Sequence, residues 1–434
     1  MSHHQRDQYA KNDDLSGTKD HALIYIEDLL CGVPPTPPKR SIFRVRHLMR
    51  KANEKAYEPE ILVVGPYHYG SDKFKYMEEQ KMRYVQRLLK RRNEGSVDRY
   101  MPILREMEQR ARDCYAETID LSHEKFLAMM LIDGCFLVEL FRKFRMEELR
   151  DEDDPLMEAD WIRCCLQRDL LLLENQIPFF VLNELYDLTK GPKEPSELIN
   201  VATWYFDFRP RDLSQNATLR RTLRESKHLL HLMHACWTSG LPSRPSRTQM
   251  TEENFAFVSS ITELRESGVR LKAVQGQGRH EMDIKFNNGI LEIPVFTVQD
   301  HTESRLRNLI AYEQHRQGGD VNYFTDYVTF MDCLINSSKD VERLCRKGIT
   351  KNYLGDNEVV AQMFNKMGDY ITLSNFYYFD IFKNVNAHCK RKTNGWMAKL
   401  RREHLNSPWA LLSISAATML LLLTAAQTVF TIIK

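Results

Sequence analysis

Asp169-Leu-Leu-Leu-Leu-Glu-Asn-Gln-Ile-Pro-Phe-Phe180 is the stretch on which the reading of the chain turns. It joins an apolar run to three consecutive polar side chains and a proline. Proline at 178 has no N–H and cannot continue a helical ladder, so one helix stops and another starts there. Upstream the spacing predicts a helix from Trp161 to Leu173. Downstream, Phe179, Phe180, Val181, Leu182 and Leu185 line the next one. A helix end in apolar surroundings leaves backbone groups without partners. Glu174, Asn175 and Pro178 are therefore read as structural capping candidates. Acid–base work by Asp169 and Glu174 would need both carboxylates in one pocket with shifted pKa values, and capping is the simpler reading.

Outward from this stretch the pattern stays mostly helical. Phe126, Leu127, Met130, Leu131, Phe136, Leu137, Leu140 and Phe141 fit a helix buried around much of its circumference. Gly134 inside it costs about 1 kcal/mol of helix stability, so it is expected to admit a close neighbour. Met77, Lys81, Val85, Leu88 and Leu89 mark another helix, Leu219 to Cys236 a third, and residues 303–314, 326–335, 341–346 and 358–367 the C-terminal ones. Ile61–Val64, closed by Gly65-Pro66, reads as a short buried strand. Val269–Val274 alternates, and Asp283–Phe286, Asn287-Asn288-Gly289, Ile290–Ile293 is a hairpin signal. Residues 189–260, rich in proline, read as a surface insertion. The fold class expected is mainly α with a small antiparallel β-sheet (α+β), drawn from 61–64 and 269–298, in a globular domain over residues 41–400.

Composition excludes little chemistry but several partners. Lys+Arg 61 against Asp+Glu 59 leaves almost no net field, so nucleic acid is not an expected partner. Nine cysteines without a repeated spacing do not form a disulfide framework. Residues 1–40 read as an unfolded arm ending in a stiff spacer, Pro34, Pro35, Pro37 and Pro38. Asp151–Asp154 reads as a solvated acidic turn. His228, His231 and His234 stand at i, i+3 and i+6, which turns the third ring away from the first two, so no metal site is expected. Glu313 and Gln314 read as part of a buried network joining helices. Gly276-Gln277-Gly278 lacks the context of a phosphate loop and reads as a hairpin tip. Nucleophile elbows, kinase signatures and His-Glu-x-x-His are absent, so no catalytic residue, cofactor or enzyme activity is expected.

Pro408 to Ile433 contains no Asp, Glu, Lys, Arg or His. At about 1.5 Å per residue such a helix is roughly 39 Å long, more than a ~30 Å hydrocarbon core requires. Its anchoring side chains would be Trp409, Leu411, Leu412, Ile414, Leu420, Leu421, Leu422, Leu423, Val429, Phe430 and Ile432. Lys390, Arg391, Lys392, Lys399, Arg401 and Arg402 precede it, which would keep the bulk of the chain cytosolic. The expectation is a tail-anchored, single-pass membrane protein with a transmembrane helix over 408–433 and the lipid bilayer as one partner.

Several separated blocks carry a family resemblance. They are Ile42–Leu48, Gly65-Pro66-Tyr67-His68 with Gly70, Leu131–Phe141, Asp169–Phe180, Leu291–Pro294, Asn308–Gln314 and the tail from Pro408-Trp409. In this order the chain resembles the plant family called domain of unknown function 247, over about residues 42–433. It departs at Arg46, where the family usually has Pro, and at Tyr69, where a second His is common. The resemblance implies a plant, membrane-associated protein without an assigned reaction. Some relatives are linked to self-recognition between pollen and stigma in grasses, which implies recognition or signalling. The reading is thus a membrane-tethered interaction module with unidentified protein partners. Its rival is an enzyme whose site gathers dispersed residues such as His68, Asp133 and Glu174.

Overall fold

The structure is a computed structural model that describes residues 21–31, 40–208, 216–241, 259–275, 280–316, 321–373, 376–391 and 408–433. The proline spacer, the Gly276–Gly278 segment and the basic positions 392, 399, 401 and 402 lie outside these residues. The chain divides into two units, Met1–Arg40 and Ser41–Lys434. In the first, α1 (His21–Cys31) is helical where an unfolded arm was expected, and it buries no residue.

In the second unit, α2 (His47–Ala52), α3 (Lys75–Arg91), α4 (Met101–Arg112), α5 (His123–Arg145), α6 (Pro155–Glu158), α7 (Asp160–Asp169), α8 (Phe179–Thr189) and α9 (Leu198–Tyr205) come first. They are followed by α10 (Ala217–Arg224), α11 (Leu229–Thr238) and α12 (Ile261–Glu266), then by β1 (Arg270–Val274), β2 (Lys285–Asn287), β3 (Ile290–Pro294) and β4 (Phe296–Val298). The remainder is α13 (Thr302–His315), α14 (Tyr323–Leu334), α15 (Ser338–Arg346), β5 (Thr350–Asn352), α16 (Asn357–Met367), α17 (Phe379–Cys389) and α18 (Pro408–Ile433). The class is mainly helical α+β.

Helix α5 is the axis of the N-terminal half, with α3, α4, α8 and α9 packed against it. Its apolar residues run round the cylinder instead of along one stripe, and Phe126, Phe136, Leu137, Val138, Leu140 and Phe141 are fully buried. Gly134 lets α8 approach: a Cβ there would collide with the Leu185 side chain. The apolar pattern around 126–141 therefore reported burial faithfully.

Other expectations are corrected. The three-stranded sheet has the order β1-β3-β2, with β1 parallel and β2 antiparallel to β3, so it is mixed and not antiparallel. The hairpin itself is where Asn288-Gly289 placed it, with φ 49° and 76° as a two-residue I′ turn needs. A second, parallel pair joins β4 to β5. Ile61–Val64 joins no sheet among the described residues. Leu219–Cys236 is two helices, α10 and α11, because the Lys227 carbonyl at the break accepts the Phe179 N–H at 2.7 Å. Among the described residues of 189–260, α9 and α11 belong to the core and not to a surface insertion: they bury Val201, Ala202, Leu230, Leu232 and Met233 completely.

The largest correction concerns the tail. α18 forms, but among the described residues no helix is long and apolar enough to cross a membrane. Ser413, Ser415, Thr418, Thr424, Gln427, Thr428 and Thr431 interrupt the run, and the hydroxyls of Ser415, Thr424, Thr428 and Thr431 donate back to carbonyls one turn earlier. Leu412, Leu420, Leu421, Leu422, Leu423, Val429 and Ile432 are exposed on it. The side chains of Trp409, Leu411, Ile414 and Phe430 lie outside the described residues. The absence of a membrane-crossing helix among the described residues contradicts the transmembrane span over 408–433 and the tail-anchored, single-pass address inferred from it.

Candidate functional site

The helix expected to reach Leu173 ends at Asp169, and residues 170–178 form a loop in which every residue is buried. A buried loop must find partners for its backbone polar groups. Its own amides supply them. Asn175 Nδ2 donates to the carbonyls of Asp169 and Leu62 at 2.9 Å each, and its Oδ1 accepts the Val64 N–H at 2.6 Å. Gln176 Nε2 donates to the Leu170 and Leu172 carbonyls, while its Oε1 accepts the Leu230 N–H at 3.0 Å. Asn308 of α13 accepts the Leu173 N–H at 2.9 Å.

The same residues hold the segment 60–65. The Asp169 carboxylate accepts the N–H groups of Glu60, Ile61 and Leu62 at 2.8–3.0 Å. Burial raises its pKa, opposed by those N–H groups and Arg168. Asp133 of α5 accepts the Gly65 N–H at 2.9 Å and the Lys81 ammonium at 2.6 Å. Burial disfavours the Lys81 charge, but Asp133 and Glu78 outweigh it and raise its pKa. Side chains thus play the part that a neighbouring strand would, which is why an apolar run resembling a strand is not one.

Gly65 sits at φ 75°, with no room for a Cβ against the Gln176 carbonyl, and turns the chain into Pro66–His68. His68 comes to rest with Nε2 3.9 Å from Glu174 Oε2, too far for a hydrogen bond. Glu174 accepts the Val45 N–H at 2.7 Å and pairs with Arg50 at 2.6 Å and Arg44 at 3.4 Å. Burial lowers the His68 pKa; Glu174 opposes this, while Arg50, Arg44 and Lys73 reinforce it. His68, Tyr69, Ser71, Phe74 and Glu78 line a cleft of about 140 Å³. A neutral imidazole there can accept a proton or a hydrogen bond. Of the three dispersed residues, the structure brings His68 and Glu174 together and directs Asp133 to a separate ion pair.

Of the three capping candidates, Pro178 holds the N-cap position of α8 without a side-chain bond, and neither Glu174 nor Asn175 acts there. Asn175 instead takes the last carbonyl of α7, and Glu174 is the hub of the arginine cluster. The three histidines surround Tyr312, at 5.2–5.5 Å between ring centroids, and each ring has its own partner. His228 Nε2 meets the Ser41 carbonyl, His231 Nδ1 accepts the Lys227 N–H, and His234 Nε2 meets Glu313 at 2.8 Å. Glu313 also accepts the N–H groups of Phe324 and Thr325, so it joins α11, α13 and α14 as a buried network. Sequence reasoning missed Asp154. It is completely buried in the supposedly solvated turn, accepting from Tyr84 Oη at 2.8 Å and Lys143 Nζ at 2.7 Å. The partners Tyr84 and Lys143 are too distant in sequence to signal this.

What the architecture defines is a mainly helical protein in which a buried clamp of ionisable and amide side chains lies beneath a surface turn. Residues 42–423 match the family model of domain of unknown function 247, described as plant protein of unknown function, and the chain belongs to that family. It is similar to UPF0481 protein At3g47200 of Arabidopsis thaliana, 29% identical over 415 residues that cover 91% of this chain and 86% of the relative. It is also similar to putative UPF0481 protein At3g02645 of the same plant, 21% identical over 479 residues covering 89% of each chain. No solved structure matches.

Proposed function

We propose that the protein is a recognition module, not an enzyme, that binds another protein through the Gly65–Gly70 turn and the start of α3. One observation carries this reading. Asp133, Asp169, Asn175 and Glu174 are all committed to holding the backbone of residues 45 and 60–65. The surface they stiffen presents Tyr69, 41% exposed, and beside it in sequence α3 presents Tyr76, 57% exposed. Rigid exposed aromatics lose little entropy on binding and dominate protein–protein hot spots. The test is the Tyr69→Ala/Tyr76→Ala double variant of the full chain. Its stability is expected to match the parent while partners found by proximity labelling in intact cells disappear. An unchanged partner set refutes the reading.

A second reading, an enzyme using His68 as a base, draws on the neutral imidazole and the carboxylate 3.9 Å away. Against it, Glu174 is already neutralised by two guanidinium groups. His68→Gln separates the two: recognition survives it, and proton transfer does not.

A further inference from the structure

A second cleft, of about 120 Å³, lies where the C-terminal end of α5, α6, the start of α7 and the end of α9 meet. Phe144, Arg150, Asp160, Arg163 and Tyr205 are among the residues that line it. Tyr205 closes α9 and packs its ring against Phe141 and Phe144, with centroids 5.1 Å away in each case. The residue is only 1% exposed, yet among the described residues its hydroxyl has no hydrogen-bond partner. Arg163 Nε is buried in the same wall and also lacks one. Burying such a group unpaired costs free energy comparable to a lost hydrogen bond, so native proteins rarely leave one orphaned. Here two belong to residues that line one cleft.

Their chemistry specifies the missing partner. Arg Nε–H can only donate, and a tyrosine held neutral by burial donates through its O–H. Ala159, which precedes α7 and also lines the cleft, provides no side-chain cap, so the first N–H groups of that helix add a third donor direction. The competing acid is weak: Asp160 lies 3.9 Å from Arg163 Nη2 and is 97% exposed. Arg150 spends its Nε and one Nη on the Lys143 and Phe144 carbonyls, leaving its charge at the wall. It also meets Glu147 at 3.3 Å, a pair exposed on the glutamate side and so worth little. The cavity is well below the ~300–1,000 Å³ of pockets that hold whole small molecules, so it suits a head group.

We propose that this cleft binds a phosphate group, free or as a monoester, which accepts from Tyr205 Oη–H, Arg163 Nε–H and the first turn of α7. The assignment does not rest on the recognition face described above.

The test is calorimetric titration of the full chain with inorganic phosphate and with phenyl phosphate, at ionic strength matched by chloride. Matching matters because phosphate also stabilises proteins by exclusion from their surface, without a site. The parent is expected to bind saturably. Tyr205→Phe removes only an unpaired hydroxyl, so its melting temperature without phosphate is expected to equal or exceed the parent's. Its affinity should fall roughly ten- to a hundredfold, as losing one hydrogen bond to a charged acceptor implies. Arg163→Lys, which keeps the charge but loses the Nε donor, should weaken binding similarly. Binding of inorganic phosphate alone assigns a free anion, and binding of both ligands a monoester. Absence of saturable binding by the parent, or equal affinity in parent and Tyr205→Phe, overturns the proposal.

Discussion

Replacing Asn175 by Ala tests the buried clamp directly. The change removes one amide that makes three hydrogen bonds, at 2.6, 2.9 and 2.9 Å. It leaves the Val64 N–H and the Leu62 carbonyl facing a small void in a fully buried loop, while the Asp169 carbonyl keeps the Leu172 N–H at 3.2 Å. Each unsatisfied buried group costs about 1–3 kcal/mol. A water entering the void could recover part of this, so the expected loss is about 3–5 kcal/mol. Against a typical total of ~5–15 kcal/mol that is a large fraction. Gln314→Ala is the matched control: its amide also bridges a backbone N–H and carbonyl, both of the exposed Thr372, at 2.8 and 3.1 Å, but from a half-buried position. Water replaces those bonds, and the expected loss is below ~1 kcal/mol. The assay is urea unfolding of the full chain followed by tryptophan fluorescence, with midpoint and slope fitted separately. A loss for Asn175→Ala no greater than that for Gln314→Ala would show that the clamp does not hold the loop.

Burial, helped by the charge of Glu313 and opposed by the Tyr377 N–H, pushes the Asp326 carboxyl up to about 8. The folded state therefore holds a proton that the unfolded chain releases near pH 4, and stability from this group falls by about 1.4 kcal/mol per pH unit between about 4 and 8. Asp326→Asn should remove that slope and raise stability at pH 8, which denaturation at several pH values measures. His228 and His231 carry the opposite sign: burial lowers both to about 3 from 6.5. Their contribution is complete above pH 6.5 and fades as pH falls. His228 Nδ1 caps α11 by accepting the His231 N–H, so His228→Asn, which keeps an acceptor there, should flatten acid unfolding by one proton. Gly65→Ala forces a side chain into φ 75° and against a backbone carbonyl, and should cost more than ~2 kcal/mol. Gly134→Ala meets only the tip of Leu185 and gains helix propensity of about 1 kcal/mol, so thermal melting should place it closer to the parent.

Much of the candidate site was visible in one dimension without its meaning. Asp169, Glu174, Asn175 and Gly65-Pro66-Tyr67-His68 stood out as residues, but they were assigned to a helix end and a strand. Their bonds span separations such as Val64 to Asn175 and Val45 to Glu174, and no local period encodes such pairs. Asp154 shows the same limit, since a run of four acids looks solvated until Lys143 and Tyr84 are placed over it. In the tail, freedom from charge was legible, but among the described residues no helix is long and apolar enough to cross a membrane.

By itself the amino-acid order determined what depends on near neighbours: the all-round apolar helix at 126–141, the Asn288-Gly289 turn, the stop before Pro178, and family membership. Tertiary structure alone decided which polar groups are buried and against what. Hydrophobic burial is read from composition and period, because it has no direction. A hydrogen bond needs a particular partner at a particular angle, and here those partners come from segments that meet only once the chain has folded.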